Sequence, residues 1–175
     1  VNAIPTVLAS GATTICAGQS TTINGSGATT YSWDNGLGAG ATQSVSPATT
    51  ATYTVTGTTA GCTNTDAVTI TVTPLPTVVA SGATTICAGQ STTITGSGAT
   101  TYSWDNGLGA GASQIVTPAT TTTYTVTGAV SGCSASDAVT VTVNPLPTIT
   151  TGTVTNPSAC ATATGSIVVN GSGTG

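Results

Sequence analysis

The sequence predicts an all-β protein: tandem antiparallel β-sandwich domains strung into an extended array. Three observations carry that prediction. Residues 5–75 align with 76–146 without a gap, a period of 71 with 57 identical positions. A repeat of that kind must be found first, because it sets the unit that folds. Within each repeat apolar and polar residues alternate with a period of two, as half-buried strands do, and no segment carries a capped 3.6-residue apolar stripe. Threonine fills 45 of the 175 positions. It is β-branched, fits the pleat, and wets an exposed strand face without charge.

The elements follow in chain order. Ser20–Ile23, Thr30–Trp33, Thr42–Ser46, Thr52–Gly57 and Ala67–Thr73 alternate as strands. Gly25-Ser26-Gly27, Asp34-Asn35-Gly36 and Gly61 punctuate them as turns, and Leu37–Ala41 is a connection of small residues. About seven short strands with no helix indicate a small antiparallel sandwich. Pro74-Leu75-Pro76 and Pro145-Leu146-Pro147 stand at the joints. Proline there removes the amide donors that would prolong a strand and stiffens the linker toward extended backbone. The expected domains are therefore 1–75, 76–146 and, at 147–175, the start of a third, divergent and truncated repeat. In that last segment Cys160 falls two positions late against the period, and the whole chain reads as a piece of a longer protein.

Composition removes whole classes of function. There is no Lys, Arg or His, against four acidic residues and a net charge of −4. Nucleic-acid binding needs cations to neutralise phosphates, and attraction to anionic lipid needs them equally. The apolar runs are a few residues long, far short of the roughly 20 that cross a bilayer, so no membrane insertion is expected. Lysine's absence also rules out Lys–Asn isopeptide cross-links, and the absence of both basic residues leaves no trypsin site.

Catalysis has few candidates, and the expectation is that the chain is not an enzyme and holds no cofactor or metal. No His is present to act as base and no Lys to form a Schiff base. Gly36-Leu37-Gly38-Ala39-Gly40-Ala41 matches the dinucleotide pattern G-x-G-x-x-G/A. That fingerprint works only where a strand passes into a helix, and here the β-branched run broken by Pro47 follows. Asp34 and Asp105 sit in Asp-Asn-Gly turns, and Asp66 and Asp137 at the entrance of a strand, so structural roles outweigh a glycosidase pair or a calcium site. Asn-Gly-Ser at Asn24 and Asn170 fits the glycosylation pattern, but Asn-Gly is more simply a hairpin turn.

Each repeat presents Cys, Trp, Cys in the order of the immunoglobulin plan, in which a buried Trp packs near a bridge between sheets. On that plan the expected disulfides are Cys16–Cys62 and Cys87–Cys133, joining strand ends. Each would close a loop of about 46 residues and stabilise by roughly 4 kcal/mol. Zinc is disfavoured without His or a C-x-x-C spacing. Bridges imply an oxidising compartment and hence export. Tyr31 and Trp33, with Tyr53, and their counterparts Tyr102, Trp104 and Tyr124, are expected to be core aromatics rather than a platform for sugars.

These residues carry a resemblance. Cys-x-Gly-x-Ser before the second strand, Tyr-x-Trp, Thr-Tyr-x-Val, Gly-Cys and the closing Val-Thr-Val-Asn-Pro-Leu-Pro are similar to the Ig-like tandem repeats of very large secreted surface proteins of Bacteroidetes, the SprB-like adhesins associated with gliding motility. The resemblance implies an extracellular, cell-surface filament or stalk with an adhesive role. Its partners would be neighbouring repeats, surface polysaccharide or substratum, and outer-membrane gliding or anchoring machinery. Two other readings stand beside it: a polysaccharide- or ice-binding module built on Thr-x-Thr rows, and the stalk of a secreted polymer-degrading enzyme.

Overall fold

The computed structural model describes residues 2–155 and 166–172. All its regular elements are strands. In the first repeat these are β1 (Leu8–Gly11), β2 (Thr14–Cys16), β3 (Thr21–Ser26), β4 (Thr30–Trp33), β5 (Gly38–Ala39), β6 (Thr42–Val45), β7 (Ala51–Thr59) and β8 (Cys62–Thr73). They form two sheets, ordered β1-β3-β6 and β2-β8-β7-β4-β5. Pairing is antiparallel except at β2, which runs parallel to the end of β8 with Cys16 opposite Thr73. The result is an immunoglobulin-like sandwich.

Alternation explains what fills it. In β8, Val68 and Ile70 turn inward while Thr69 and Thr71 turn out. Ile23 of β3, Val55 of β7 and Ile70 are fully enclosed, and Trp33, Tyr53, Val45 and Val68 complete the core. Val55 lies two residues after Tyr53, where antibody domains carry the second cysteine of their bridge between sheets. A β-branched side chain packs there instead. No buried residue among those described is polar or charged. Gly57 is required by close approach: a Cβ on it would come 2.5 Å from Val7 Cγ2 and 2.7 Å from the Ala28 Cβ.

The second repeat repeats the set as β9 (Val79–Gly82), β10 (Thr85–Cys87), β11 (Thr92–Ser97), β12 (Thr101–Trp104), β13 (Gly109–Ala110), β14 (Ser113–Val116), β15 (Thr122–Val130) and β16 (Cys133–Asn144). Its sheets have the orders β14-β11-β9 and β10-β16-β15-β12-β13, around Ile94, Val126 and Val141. Beyond it β17 (Thr148–Thr155) and β18 (Ser166–Ser172) pair antiparallel, with a register shift between Thr151 and Val154. Cys160 lies outside the described residues.

Two compact units result. One holds residues up to Val78 together with Gly98–Thr101 and Thr127–Ser136; the other holds Val79–Ser97, Tyr102–Val126 and the described residues from Asp137 onward. The tip of the second repeat's β15–β16 hairpin thus belongs to the first unit.

Several elements differ from the sequence reading, among them Asn24, Gly25 and Ser26, which were expected in a turn and lie in β3. Cys16 ends a short strand that the alternation did not mark, because β2 finds free backbone groups along β8: Thr71 N–H donates to Thr13 O and Ala17 N–H to Thr73 O, both at 2.8 Å. Gly38–Ala39 is a two-residue edge strand on β4, with Ser32 opposite Ala39.

Candidate functional site

The feature that the sequence did not announce is a covalent joint. Cys16 is bonded to Cys133, across 117 residues of chain, with Cα atoms 5.6 Å apart. Local geometry presents each partner. The parallel pairing of β2 fixes Cys16 beside Thr73. Cys133 follows a two-residue turn, Ser131-Gly132, whose φ values of 51° and 83° are both positive, as a type I′ hairpin demands. Cys133 is 2% exposed.

The expected pairs Cys16–Cys62 and Cys87–Cys133 do not form, and Cys62 and Cys87 are free thiols. The physical reason is strand length. Cys16 lies opposite Thr73 at one end of β8, and Cys62 is the first residue of that strand. Eleven steps of about 3.4 Å put the two roughly 37 Å apart, when a bridge needs Cα atoms within about 7 Å. In the second repeat Cys87 lies opposite Asn144, the last residue of β16, and Cys133 is its first. Within one repeat the two cysteines stand at opposite ends of the sandwich, and the bond that forms joins one repeat to the other.

The aromatic residues divide into two kinds. Trp33 and Trp104 are each 4% exposed, with indole N–H groups donating at 3.0 Å to Gly40 O and Gly111 O. Tyr53 and Tyr124 are buried beside them. Tyr31 and Tyr102 are half-buried. The Tyr31 hydroxyl donates to Ala28 O at 2.6 Å and accepts from Ala28 N–H at 2.8 Å, which pins the turn before its own strand. Both indoles are inside, so neither offers a ring for stacking a sugar.

The four carboxylates serve the backbone. Asp34 Oδ1 accepts from Thr54 N–H at 3.0 Å and from the Asn35 side-chain amide at 3.2 Å, and Asp105 repeats this with Thr125 and Asn106. Asp66 is the fifth residue of β8, not its entrance, and its Oδ2 accepts from Ala9 N–H at 2.8 Å. That bond ties β1 of one sheet to β8 of the other. Asp137 does the same for Ala80. Ala9 N–H first, and the Ala67 N–H after it, hold the Asp66 carboxyl below the ordinary 3.8; Ala80 and Ala138 act likewise on Asp137. Among the described residues no three Cys, Asp or Glu side chains gather as metal ligands.

Two further surfaces bear on binding. An open depression lined by Asn35, Leu37, Val45, Ala51 and Tyr53 holds no ionisable group except the buried phenol. Of the threonine rows, Thr52 and Thr69 share a hydrogen bond between hydroxyls at 2.8 Å, as do Thr123 and Thr140. Those hydroxyls are already engaged with each other.

No protein-family model matches the chain, and no curated protein matches it in sequence. Among solved structures, the three N-terminal domains of the Highly Immunogenic Outer Capsid protein of bacteriophage RB49 are similar at 17% identity and a TM-score of 0.42, over 98% of this chain and 70% of that one. An I-band fragment of titin is similar at 11% identity and a TM-score of 0.42, over 98% and 77%. Likeness at that level names no family and transfers no activity.

Proposed function

We propose that this chain is part of the structural and adhesive repeat region of a secreted cell-surface filament or stalk, of the gliding-motility or surface-attachment kind, each repeat being a domain of about the 71-residue period. The observation that supports it most is the Cys16–Cys133 bond. It bridges consecutive repeats across a Pro-Leu-Pro linker, so tension along the chain is carried by a covalent bond as well as by the linker. A disulfide of this sort persists in an oxidising compartment outside the cytosol. The uncharged threonine faces and the use of all four carboxylates to hold backbone suit a spacer better than a reaction site. Neighbouring repeats are then its first partners, and polysaccharide or substratum and the outer-membrane machinery its outer ones.

The experiment is surface labelling of the cells that make the protein. Antibody raised against the oxidised chain is expected to bind intact cells and to reduce their attachment to glass. Labelling only after the cells are lysed, or attachment unchanged on cells fully coated with antibody, overturns the reading.

A further inference from the structure

The two free cysteines repeat the geometry of the bonded pair. Cys87 is the 71-residue counterpart of Cys16, and Cys62 that of Cys133. The parallel ladder that sets Cys16 opposite Thr73 also sets Cys87 opposite Asn144, Thr73's counterpart. Cys62 begins β8 after the turn Ala60-Gly61, with φ of 48° and 82°, just as Cys133 follows Ser131-Gly132. The Cys62 thiol donates at 3.6 Å to the backbone carbonyl of Asn2, and Asn2 is itself the counterpart of Thr73. Each free thiol is therefore seated where one half of the formed bond is seated.

The surroundings differ in the direction that a missing neighbour requires. Ile15, beside the bonded Cys16, is 9% exposed. Its counterpart Ile86 is half-buried, and Cys87 is exposed where Cys16 is half-buried. Cys133 is buried where Cys62 is half-buried. Around Cys87 lies an open groove of about 510 Å³ lined by Ile86, Gln90, Ser91, Asn144 and Leu146. Leu146 is 61% exposed there, against 48% for Leu75, its counterpart at the bonded joint. Fourteen positions differ between the repeats, and six of them fall in the hairpin tip Thr58–Thr65, yet the cysteine within that tip is kept.

We infer a forward pairing rule: the first cysteine of each repeat bonds the second cysteine of the repeat that follows it in the same chain. Cys87 and its groove are the open receiving half for the hairpin tip of a further repeat of this type, and Cys62 is the open half facing back. A second copy of the chain is not the occupant. Val1-Asn2-Ala3-Ile4-Pro5 corresponds to Val143-Asn144-Pro145-Leu146-Pro147, so a second copy docked in the same way would need its Asn2 where Asn144 already stands. The rule does not depend on the adhesive reading.

Bond formation takes a small disulfide oxidant such as oxidised glutathione. The Cys87 thiolate attacks it, releasing one glutathione thiolate and leaving a mixed disulfide. The thiolate of the arriving cysteine then displaces the second glutathione. Two protein thiols become one disulfide, and the two protons they give up end on the two glutathione thiolates, so the oxidant leaves as two molecules of reduced glutathione.

The test inserts one extra copy of Pro76–Leu146 after Leu146, which preserves the Leu-Pro seam, with Ser131→Gly in the inserted copy as a mass tag at a position of positive φ. The native and extended chains are refolded with oxidised glutathione, treated with an alkylating agent, and cut before aspartate without reduction. Cleavage before Asp34, Asp66, Asp105 and Asp137 leaves each of the five cysteines of the native chain in its own fragment. In the native chain the fragment of Cys87 is expected to be alkylated. In the extended chain it is expected to be joined to the tagged fragment and protected from alkylation, while Cys16 still pairs with the untagged Cys133 fragment. Cys87 still alkylated in a folded extended chain, joined to Cys133 of its own repeat, or joined to Cys160 overturns the rule. Disulfide-linked oligomers of the native chain overturn the assignment to a following repeat. Near-UV circular dichroism of the buried tryptophans establishes that both chains are folded.

Discussion

Removing the inter-repeat bond gives the sharpest test of the joint. The bond closes 117 residues of chain. In the chain-entropy model, a loop of that length takes about 16 cal/mol/K from the unfolded ensemble, or about 5 kcal/mol at 25 °C. For an unfolding unit of this size each kcal/mol moves Tm by about 2–4 °C, so Cys16→Ser should lower the melting temperature by roughly 10–20 °C. Cys133 is 2% exposed, so Cys133→Ser adds the burial of a hydroxyl and should lose slightly more. Differential scanning calorimetry of the oxidised chain, with and without reductant, reads the effect directly. The controls carry the discrimination. Cys62→Ser and Cys87→Ser remove thiols that are bonded to nothing covalently, and each should stay within about 0.5 kcal/mol of the parent. Bonds within each repeat would instead make all four substitutions costly, at about 4 kcal/mol per 46-residue loop. If Cys62→Ser melts as low as Cys16→Ser, or if reduction leaves the melt of the parent unchanged, the strand-length argument is wrong.

Four other outcomes follow from the same packing. Gly57→Ala forces a methyl against Val7 and Ala28 and should cost about 1–3 kcal/mol in urea unfolding. Trp33→Ala empties the centre of the first sandwich, where the indole is 4% exposed, and should cost about 3–5 kcal/mol while leaving Trp104 fluorescence native-like. Ala60 holds φ at 48°; Ala60→Asn, which suits that region, should recover roughly 0.5–1 kcal/mol of the about 1–2 kcal/mol that a left-handed residue costs. Asp66 and Asp137 titrate below 3.8 in the folded state. A carboxyl so depressed adds stability that is fully present above its unfolded value and is lost as pH falls through the folded one. Unfolding midpoints measured from pH 5 down to pH 2 should therefore fall less steeply for the double variant Asp66→Asn, Asp137→Asn than for the parent.

The repeat, the all-β class and most strands were legible because each rests on a local rule. A 71-residue period is visible by self-comparison, and Thr-Tyr-Thr-Val-Thr can alternate in only one way about a sheet. Trp33 and Tyr53 declared themselves as large side chains set in alternating runs. Tyr31 did not separate from Trp33 by pattern, since both face one way. Only its hydrogen bonds with Ala28 show that it pins the turn before its strand. Asp66 gave no sign that it would clasp Ala9, 57 positions away.

The sequence by itself determined what each repeat is made of, because alternation, turns and prolines act over a few residues. The tertiary structure alone decided which cysteines meet. Order along the chain makes Cys16 and Cys62 look like partners, as in the immunoglobulin plan. The parallel register of β2 on β8 places them at opposite ends of a twelve-residue strand, and a bond that must close within about 7 Å cannot cross that length. Distance in space, set by register, turned a staple expected within one repeat into a staple between two repeats.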